Sequence, residues 1–178
     1  QAAKSLLEQR PIYIDTETTG LDKDAEIIEI AIVDFDGSIL FESMFKPTRP
    51  IPPEATKVNH ITNEMVKDKP SWAVLWPQIR SHLFGRIIGM YNADFDHRMM
   101  QQSHQKYNLP WKENLRVFDI MKLYAQFKGE IDPIKRRYKY FSLEAAGKLA
   151  GIQIPNSHRA SDDTLLTRAL LHHIANSK

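Results

Sequence analysis

The sequence predicts an α/β domain whose mixed sheet carries helices on both faces. Three apolar, strand-like segments come first, and strands alternate with helices after them. The pair Asp36-Gly37 is a strong tight-turn signal between the second and third of these strands and indicates a hairpin. The length of 178 residues and the 42% hydrophobic content suit one domain with a sizeable core.

Five short segments rich in isoleucine, valine or other apolar residues are predicted as strands. They cover residues 12–14, 26–35, 38–45, 86–90 and 116–119. The hairpin formed by the second and third strands is expected to lie beside the first. Five strands with both local and crossover connections imply a mixed five-stranded sheet.

Six segments are predicted as helices, over residues 62–66, 71–84, 95–107, 120–127, 142–150 and 160–175. Asp94 is predicted as the N-cap of the third, because its side chain can accept from an exposed amide of the first turn. Gly151 is predicted to end the fifth. Several prolines make residues 46–53 an irregular connection, and glycine, proline and clustered charges predict a mobile stretch over 128–140.

The composition limits the kinds of site and partner. The chain has no cysteine, so any metal must be held by oxygen or imidazole ligands, which favours hard cations. A net charge of +2 permits a local basic patch without making the whole surface a nucleic-acid binder. No apolar stretch approaches the ~20 residues of a membrane span, and no signal peptide is evident. We therefore expect a cytoplasmic protein without membrane contact, with a lead-in over 1–10 and a single domain over 11–176.

Two carboxylates close the first predicted strand. Asp15 and Glu17 are two residues apart, so in a strand both point to one face and can reach one cation. An isolated pair of this kind is more often a solvated strand end. Here the preceding strand is apolar and Thr18-Thr19-Gly20 follows, where small residues let the backbone approach a ligand. Ligands commonly bind beyond the carboxyl end of a strand.

Two further acidic segments could complete a metal site. Asp96 would lie in the first turn of its helix, where a carboxylate also compensates the helix dipole, and Asp94 is its rival. His158 comes just before the last predicted helix and Asp163 comes in its first turn, an arrangement that suits a proton acceptor and a metal ligand. The histidine could equally be a surface residue or a cap, and Asp162 could replace Asp163. Spacing leaves these alternatives open.

Together these segments resemble the three motifs of the DEDDh 3′–5′ exonucleases, a family with the ribonuclease H-like fold. The family includes the epsilon proofreading subunit of bacterial DNA polymerase III and exonuclease X. The resemblance is carried by Ile14-Asp15-Thr16-Glu17-Thr18-Thr19-Gly20, by Asn92 with Phe95-Asp96, and by His158-Arg159-Ala160 with Asp163. Lys46-Pro47, Pro50-Ile51-Pro52 and His60-Ile61-Thr62 with Met65-Val66 resemble the segment beside the 3′ terminus in the proofreading and exonuclease X branches.

The resemblance implies a role for each candidate. Four carboxylates would hold two divalent cations, Mg²⁺ or Mn²⁺, and His158 would be the general base. These carboxylates belong to Asp15, Glu17, Asp96 and Asp163. A sister branch has a tyrosine four residues before the last aspartate, where this chain has Arg159, so the histidine branch fits and Asp163 is selected over Asp162. One departure is Tyr91 before Asn92, where the family often has histidine, and it predicts altered substrate contacts.

The implied activity is hydrolysis of phosphodiester bonds from the 3′ end of single-stranded nucleic acid, releasing nucleoside 5′-monophosphates. DNA is favoured as the polymer. The alternatives are an RNA-processing exoribonuclease and a proofreading module whose partner is a polymerase subunit. The residues expected to hold the terminal nucleotides are Thr18, Gly20, Leu21, Ile61, Asn92 and Phe95. Of these, Ile61 and Phe95 could equally be core residues. The basic and aromatic run over 135–140 is either a strand-guiding patch or a solvated loop.

Overall fold

The computed structural model describes residues 1–177 and contains a mixed five-stranded sheet. Its strands are Ile12–Thr18 (β1), Ile27–Val33 (β2), Ile39–Met44 (β3), Ile87–Met90 (β4) and Arg116–Asp119 (β5). They lie in the order β3-β2-β1-β4-β5. The first three strands pair antiparallel, whereas β4 is parallel to β1 and β5 is parallel to β4. The predicted mixed sheet and hairpin are confirmed.

Eight helices surround the sheet within the described residues. They are Ala2–Glu8 (α1), Pro53–Asn59 (α2), Asn63–Val66 (α3), Trp72–Leu83 (α4), Ala93–Gln105 (α5), Ile120–Lys128 (α6), Leu143–Leu149 (α7) and Ala160–Asn176 (α8). Side-chain oxygens of Thr62, Ser71 and Ser142 accept from backbone amides and begin α3, α4 and α7. Gly151 follows α7 with φ 68°, as predicted for a glycine after a helix. In residues 1–177 we find no helix that is both long and apolar enough to span a bilayer.

The helices bury opposite faces of the sheet, which confirms the predicted layering. Ile12 and Ile14 of β1 pack in a core with α4 and α5, while Tyr13 between them packs in a second core with α1, α6 and α8. The first core contains the buried side chains of Trp72 and Trp76. In α1, Ala3 is buried in the second core. The predicted boundary between a lead-in and a domain starting at residue 11 stays a prediction.

Two regular segments were missed by sequence reasoning. Pro53 occupies the first turn of α2, where its absent N–H would have had no partner and its fixed φ suits a helix, so the prolines begin this helix. Residues 131–132 (β6) and 137–138 (β7) form a two-stranded antiparallel hairpin inside the stretch predicted as mobile. We refer to residues 128–140 as the basic hairpin.

The prediction that Asp94 is the N-cap of α5 is wrong. The helix begins one residue earlier, after Asn92, which is left-handed with φ 63° and ψ 57°. Asp94 lies inside the first turn, exposed, and pairs with Lys122 at 3.0 Å. The amides of Asn92 and Ala93 instead donate to the Asp119 carboxylate, each at 3.2 Å. Asp119 can reach them because the carboxyl ends of the parallel strands β4 and β5 are adjacent.

Asp119 therefore caps two helices, since its carboxylate also accepts from the amide of Met121 at 2.9 Å at the start of α6. We expect Asp119→Ala to lower the free energy of unfolding by about 2 kcal/mol, the upper range for a lost cap, because amides of two helices lose their acceptor. Urea unfolding followed by circular dichroism measures the change. Asp68→Ala, at an exposed turn after α3, is the control and should stay within roughly 0.5 kcal/mol of the unsubstituted chain. Equal stability of the two variants would contradict the double cap.

Candidate active site

Three of the four predicted carboxylates meet at the carboxyl end of β1. Oxygens of Asp15, Glu17 and Asp163 all lie within 4.8 Å of one another. Asp15 and Glu17 share one face of β1 and are partly buried, and Asp163 is buried in the first turn of α8. The strand and the helix thus supply a rigid set of oxygen ligands suited to a hard divalent cation.

The fourth carboxylate, Asp96, approaches from α5. It is buried, and its Oδ1 accepts from the Thr16 hydroxyl at 2.6 Å. Thr16 faces the opposite side of β1 from Asp15 and Glu17, so Asp96 comes to the strand from the α5 side while Asp163 comes from the α8 side. Sequence reasoning missed Thr16, although a small hydroxyl between two acidic residues was a visible signal. Asp96 is therefore held near the other three carboxylates but outside their cluster.

Burial and mutual repulsion raise the pKa of the two β1 carboxylates. The pKa of Asp15 lies well above its ordinary value, first because of burial and then because of the nearby charges of Asp96 and Glu17. Burial, followed by the charges of Asp163 and Glu29, raises the pKa of Glu17 to about 9. The folded chain thus keeps several acidic groups where each disfavours the ionisation of the others.

The two helix-borne carboxylates show the same effect more weakly. Burial, followed by the charge of Asp162, raises the pKa of Asp163 to about 7. Burial also raises the pKa of Asp96 to about 7, against the hydrogen bond from Thr16, which lowers it. Bound divalent cations would favour the ionised forms of all these groups, and the donor set fits such ions.

An ion pair that sequence reasoning missed fixes the start of α8. Glu29 is a buried acidic residue within the apolar strand β2 and pairs in register with Glu17. Its carboxylate accepts from Arg159 Nη2 at 2.6 Å, from Nε at 3.1 and 3.2 Å, and from the amide of Ala160 at 2.8 Å. A glutamate inside an otherwise continuous apolar strand was the available signal. This contact ties the segment between His158 and Asp163 to the sheet.

The residues before α8 distinguish the two neighbouring aspartates. Asp162 Oδ2 accepts from the Ser157 hydroxyl at 2.7 Å, whereas Asp163 lies in the cluster and accepts from Asn156 Nδ2 at 3.1 Å. His158 is exposed and left-handed, with φ 53°. Its imidazole therefore lies at the surface, and its role as the general base stays a prediction.

An open groove of about 540 Å³ runs beside the cluster. Four of the predicted nucleotide contacts line it, namely Thr18, Gly20, Leu21 and Phe95. Its remaining walls come partly from the unpredicted helix α2, through Glu54, Ala55, Val58 and Asn59. Leu21 is 78% exposed and Val58 is 53% exposed, so apolar side chains face open solvent across this groove.

The other two predicted contacts lie elsewhere. Asn92 is exposed at the start of α5 and does not line the groove. Ile61 is fully buried in a small core with Ile28 and Ile51, which is the alternative that the sequence left open for it. Asn59 connects this core to the groove, because its Nδ2 donates to the Thr18 carbonyl at 3.2 Å and its Oδ1 accepts from the Ile61 amide at 3.0 Å.

Comparison with known proteins finds similarity over nearly the whole chain. A family model described as Exonuclease matches residues 12–171. An uncharacterized exonuclease of Escherichia phage 186 is 39% identical over 98% of this chain and 93% of its own. DNA polymerase III subunit epsilon of Treponema pallidum is 32% identical over 89% of this chain and 75% of its own. Exodeoxyribonuclease 10 of Escherichia coli K12 is 33% identical over 92% of this chain and 68% of its own.

Solved structures show the same similarity. Exonuclease X in complex with 5′-overhanging duplex DNA is 34% identical and has a TM-score of 0.69, over 93% of this chain and 90% of its own. The nuclease domain of a DEDDh family member bound to rAMP has a TM-score of 0.74 over 91% of this chain and 89% of its own. Its sequence identity is 14%, so this similarity shows the fold alone. The ribonuclease H-like fold predicted from the sequence is confirmed.

The raised pKa values of the acidic cluster predict a pH-dependent stability that cations remove. The folded-state pKa of Glu17 is about 9 and those of Asp96 and Asp163 are about 7, above the unfolded values near ~4, so the metal-free fold binds extra protons in this window. We expect its Tm to fall as pH rises from about 5 to about 8.5, by ~5 °C or more. Scanning calorimetry with chelator, then with Mg²⁺ or Mn²⁺, measures this.

The cation should raise Tm more at the higher pH, because more carboxylates are then ionised in its absence. Asp15→Asn is the matched variant, since it removes one charge from the cluster. It should weaken the dependence of Tm on pH and the dependence of Tm on added cation. A Tm that is insensitive to pH and to added cation would contradict the prediction.

Proposed function

We propose a specific activity for this chain, which belongs to the exonuclease family and is a nuclease. It removes nucleotides one at a time from the 3′ end of single-stranded nucleic acid. The products would be nucleoside 5′-monophosphates. The observation that carries the proposal is the cluster of Asp15, Glu17 and Asp163 oxygens beside an open, partly apolar groove. A site for hydrolysis and a site for a chain terminus thus adjoin each other.

We propose two divalent cations, Mg²⁺ or Mn²⁺, as the cofactors. Asp15, Glu17 and Asp163 offer a compact set of hard oxygen donors, and Asp96 is held close by for a share in the second ion. When bound, such ions stabilise charge on the attacking and leaving oxygens and promote ionisation of a water. Arg159, which immediately precedes α8, is paired with Glu29 of β2 at 2.6 Å, so its guanidinium has a carboxylate partner outside the cluster.

His158 is proposed to accept the proton of the attacking water. Its exposed position before α8 lets an imidazole approach the acidic cluster, and the Glu29–Arg159 ion pair holds its neighbour to the sheet. An imidazole must be uncharged to accept a proton, so the rate is expected to rise with pH. This assigns the histidine to proton transfer and the carboxylates to cation binding.

The terminal nucleotides are proposed to lie in the groove. Phe95 and Leu21 present apolar surfaces that can pack on any base, and residues 18–20 line the same groove. Asn92, at the start of α5, would contact the strand outside the groove. This combination holds a terminus without reading its sequence.

DNA is proposed as the preferred polymer. The similarity to exodeoxyribonuclease 10 of Escherichia coli supports this, as does the solved complex of exonuclease X with duplex DNA. A second candidate, a proofreading module within a polymerase assembly, is supported by the similarity to DNA polymerase III subunit epsilon. Co-purification with a polymerase subunit would distinguish that role from a free-standing repair or RNA-processing enzyme.

Matched DNA and RNA strands labelled at the 5′ end test the proposed activity. We expect stepwise shortening with Mg²⁺, faster on DNA, resolved on a denaturing gel. Chelator and Asp15→Asn should both abolish it, because each removes cation binding. Asp94→Asn is the matched control, since Asp94 is exposed and paired with Lys122, and it should retain activity. Absence of shortening of either polymer, or an Asp15→Asn variant as active as the control, would overturn the proposal.

His158→Ala tests the proton acceptor. We expect kcat to fall by roughly 10²- to 10⁴-fold, the usual contribution of a general base, with the rise of rate with pH lost. Cation binding should persist, because the carboxylates remain, and calorimetric titration with Mn²⁺ checks this. His82→Ala, on α4, is the control variant and should keep both the rate and its pH profile. A pH profile unchanged by His158→Ala would assign proton transfer to another group.

A further inference from the structure

The excess positive charge of this chain is concentrated in the basic hairpin. Residues 128–140 contain five basic and two acidic side chains, so they carry a net charge of +3, whereas the whole chain carries +2. The rest of the molecule is therefore slightly acidic. Such a local concentration is an electrostatic feature of its own and attracts polyanions.

Most of these cations are unneutralised by carboxylates. Within the described residues, Lys135 and Arg136 make no ion pair, and Arg137 lies over the ring of Tyr140 at 3.9 Å. The Asp132 carboxylate is used within the turn, where it accepts from the amides of Ile134 and Lys135 at 3.0 Å each. Three adjacent cations thus face solvent from one turn and the strand that follows it.

Apolar and aromatic side chains stand beside these cations. Ile134 is 90% exposed at the turn, and Tyr138 on β7 is also exposed. Exposed apolar surface next to unpaired cations matches a single strand of nucleic acid, which offers phosphates and unstacked bases together.

The stem of the basic hairpin is anchored at the start of α5, the helix that carries Asp96. Phe141, which follows the hairpin, is buried, and its carbonyl accepts from the Tyr91 hydroxyl at 2.8 Å. Tyr91 immediately precedes Asn92 at the start of α5. Because Phe141 is three positions after Tyr138, their Cα atoms lie within roughly 11 Å of each other. The start of α5 thus connects the stem of the hairpin, through Tyr91, with Phe95, which lines the groove.

We propose that the basic hairpin is a second nucleic-acid contact, which holds the part of the strand upstream of the 3′ terminus through Lys135, Arg136 and Arg137. The inference rests on the proposed function for its substrate and goes beyond the active site. The cations contact phosphates, while Ile134 and Tyr138 contact bases. This contact strengthens binding only for strands long enough to span both surfaces.

The triple variant Lys135→Gln, Arg136→Gln, Arg137→Gln tests this contact. Binding to a single strand of about 16 nucleotides is measured by fluorescence anisotropy over a series of salt concentrations, in an Asp15→Asn background that keeps the strand intact. We expect binding weaker by on the order of tenfold at low salt, and a salt slope smaller by about 2, since each lost phosphate contact removes ~0.7. A matched control variant removes the same charge from α1 and from the opposite end of the sheet. It carries Lys4→Gln, Lys112→Gln and Arg116→Gln.

Turnover of a dinucleotide separates this inference from the proposed function. With Asp15 intact, the hairpin variant should hydrolyse a dinucleotide like the unsubstituted chain and show a raised KM only on long strands. If the hairpin variant binds long strands as tightly as its parent, or if the control variant loses as much affinity, the second contact does not exist. Failure of the unsubstituted chain to shorten any strand would instead overturn the proposed function and leave the binding comparison valid.

Discussion

Repulsion between carboxylates at the end of β1 is the constraint on which the rest of this structure depends. Asp15, Glu17 and Asp163 lie within 4.8 Å of one another with Asp96 close by, and burial adds to the cost of ionising each. Such groups separate unless rigid elements hold them. Here a central strand and the first turns of two helices do so, and they present a concentrated set of oxygen donors suited to divalent cations.

The ion pair between Glu29 and Arg159 shows how the fold sustains this arrangement. It does not lie in the cluster, yet it ties the start of α8 to β2, across from Glu17 on β1. Breaking one partner of a buried pair typically costs ~3–5 kcal/mol, although its net worth relative to apolar residues is small. Its importance is positional. Asp163 and His158 flank the tethered segment on either side, so both depend on one contact with the sheet.

The surfaces proposed to bind substrate differ in polarity and in charge. The groove beside the cluster is apolar at Leu21 and Val58, which suits bases, and the cluster itself suits cations. The basic hairpin carries the positive charge that the groove and the cluster lack. A polyanionic strand bound as proposed would meet attractive cations at the hairpin, whereas the carboxylates would repel it in the absence of metal.

The sequence alone determined the features that depend on short-range patterns. Apolar runs located the five strands, Gly151 marked the end of α7, and the three motifs identified Asp15, Glu17, Asp96 and Asp163 as candidates. The tertiary structure decided what depends on distant neighbours. Asp119, not Asp94, caps α5 because two parallel strands end side by side. Ile61 is buried because α2 and α3 fold over it, and Glu29 meets Arg159 across 130 residues of chain. Local patterns report hydrogen bonding and periodicity along the chain, whereas these contacts exist only once the sheet has brought separate segments together.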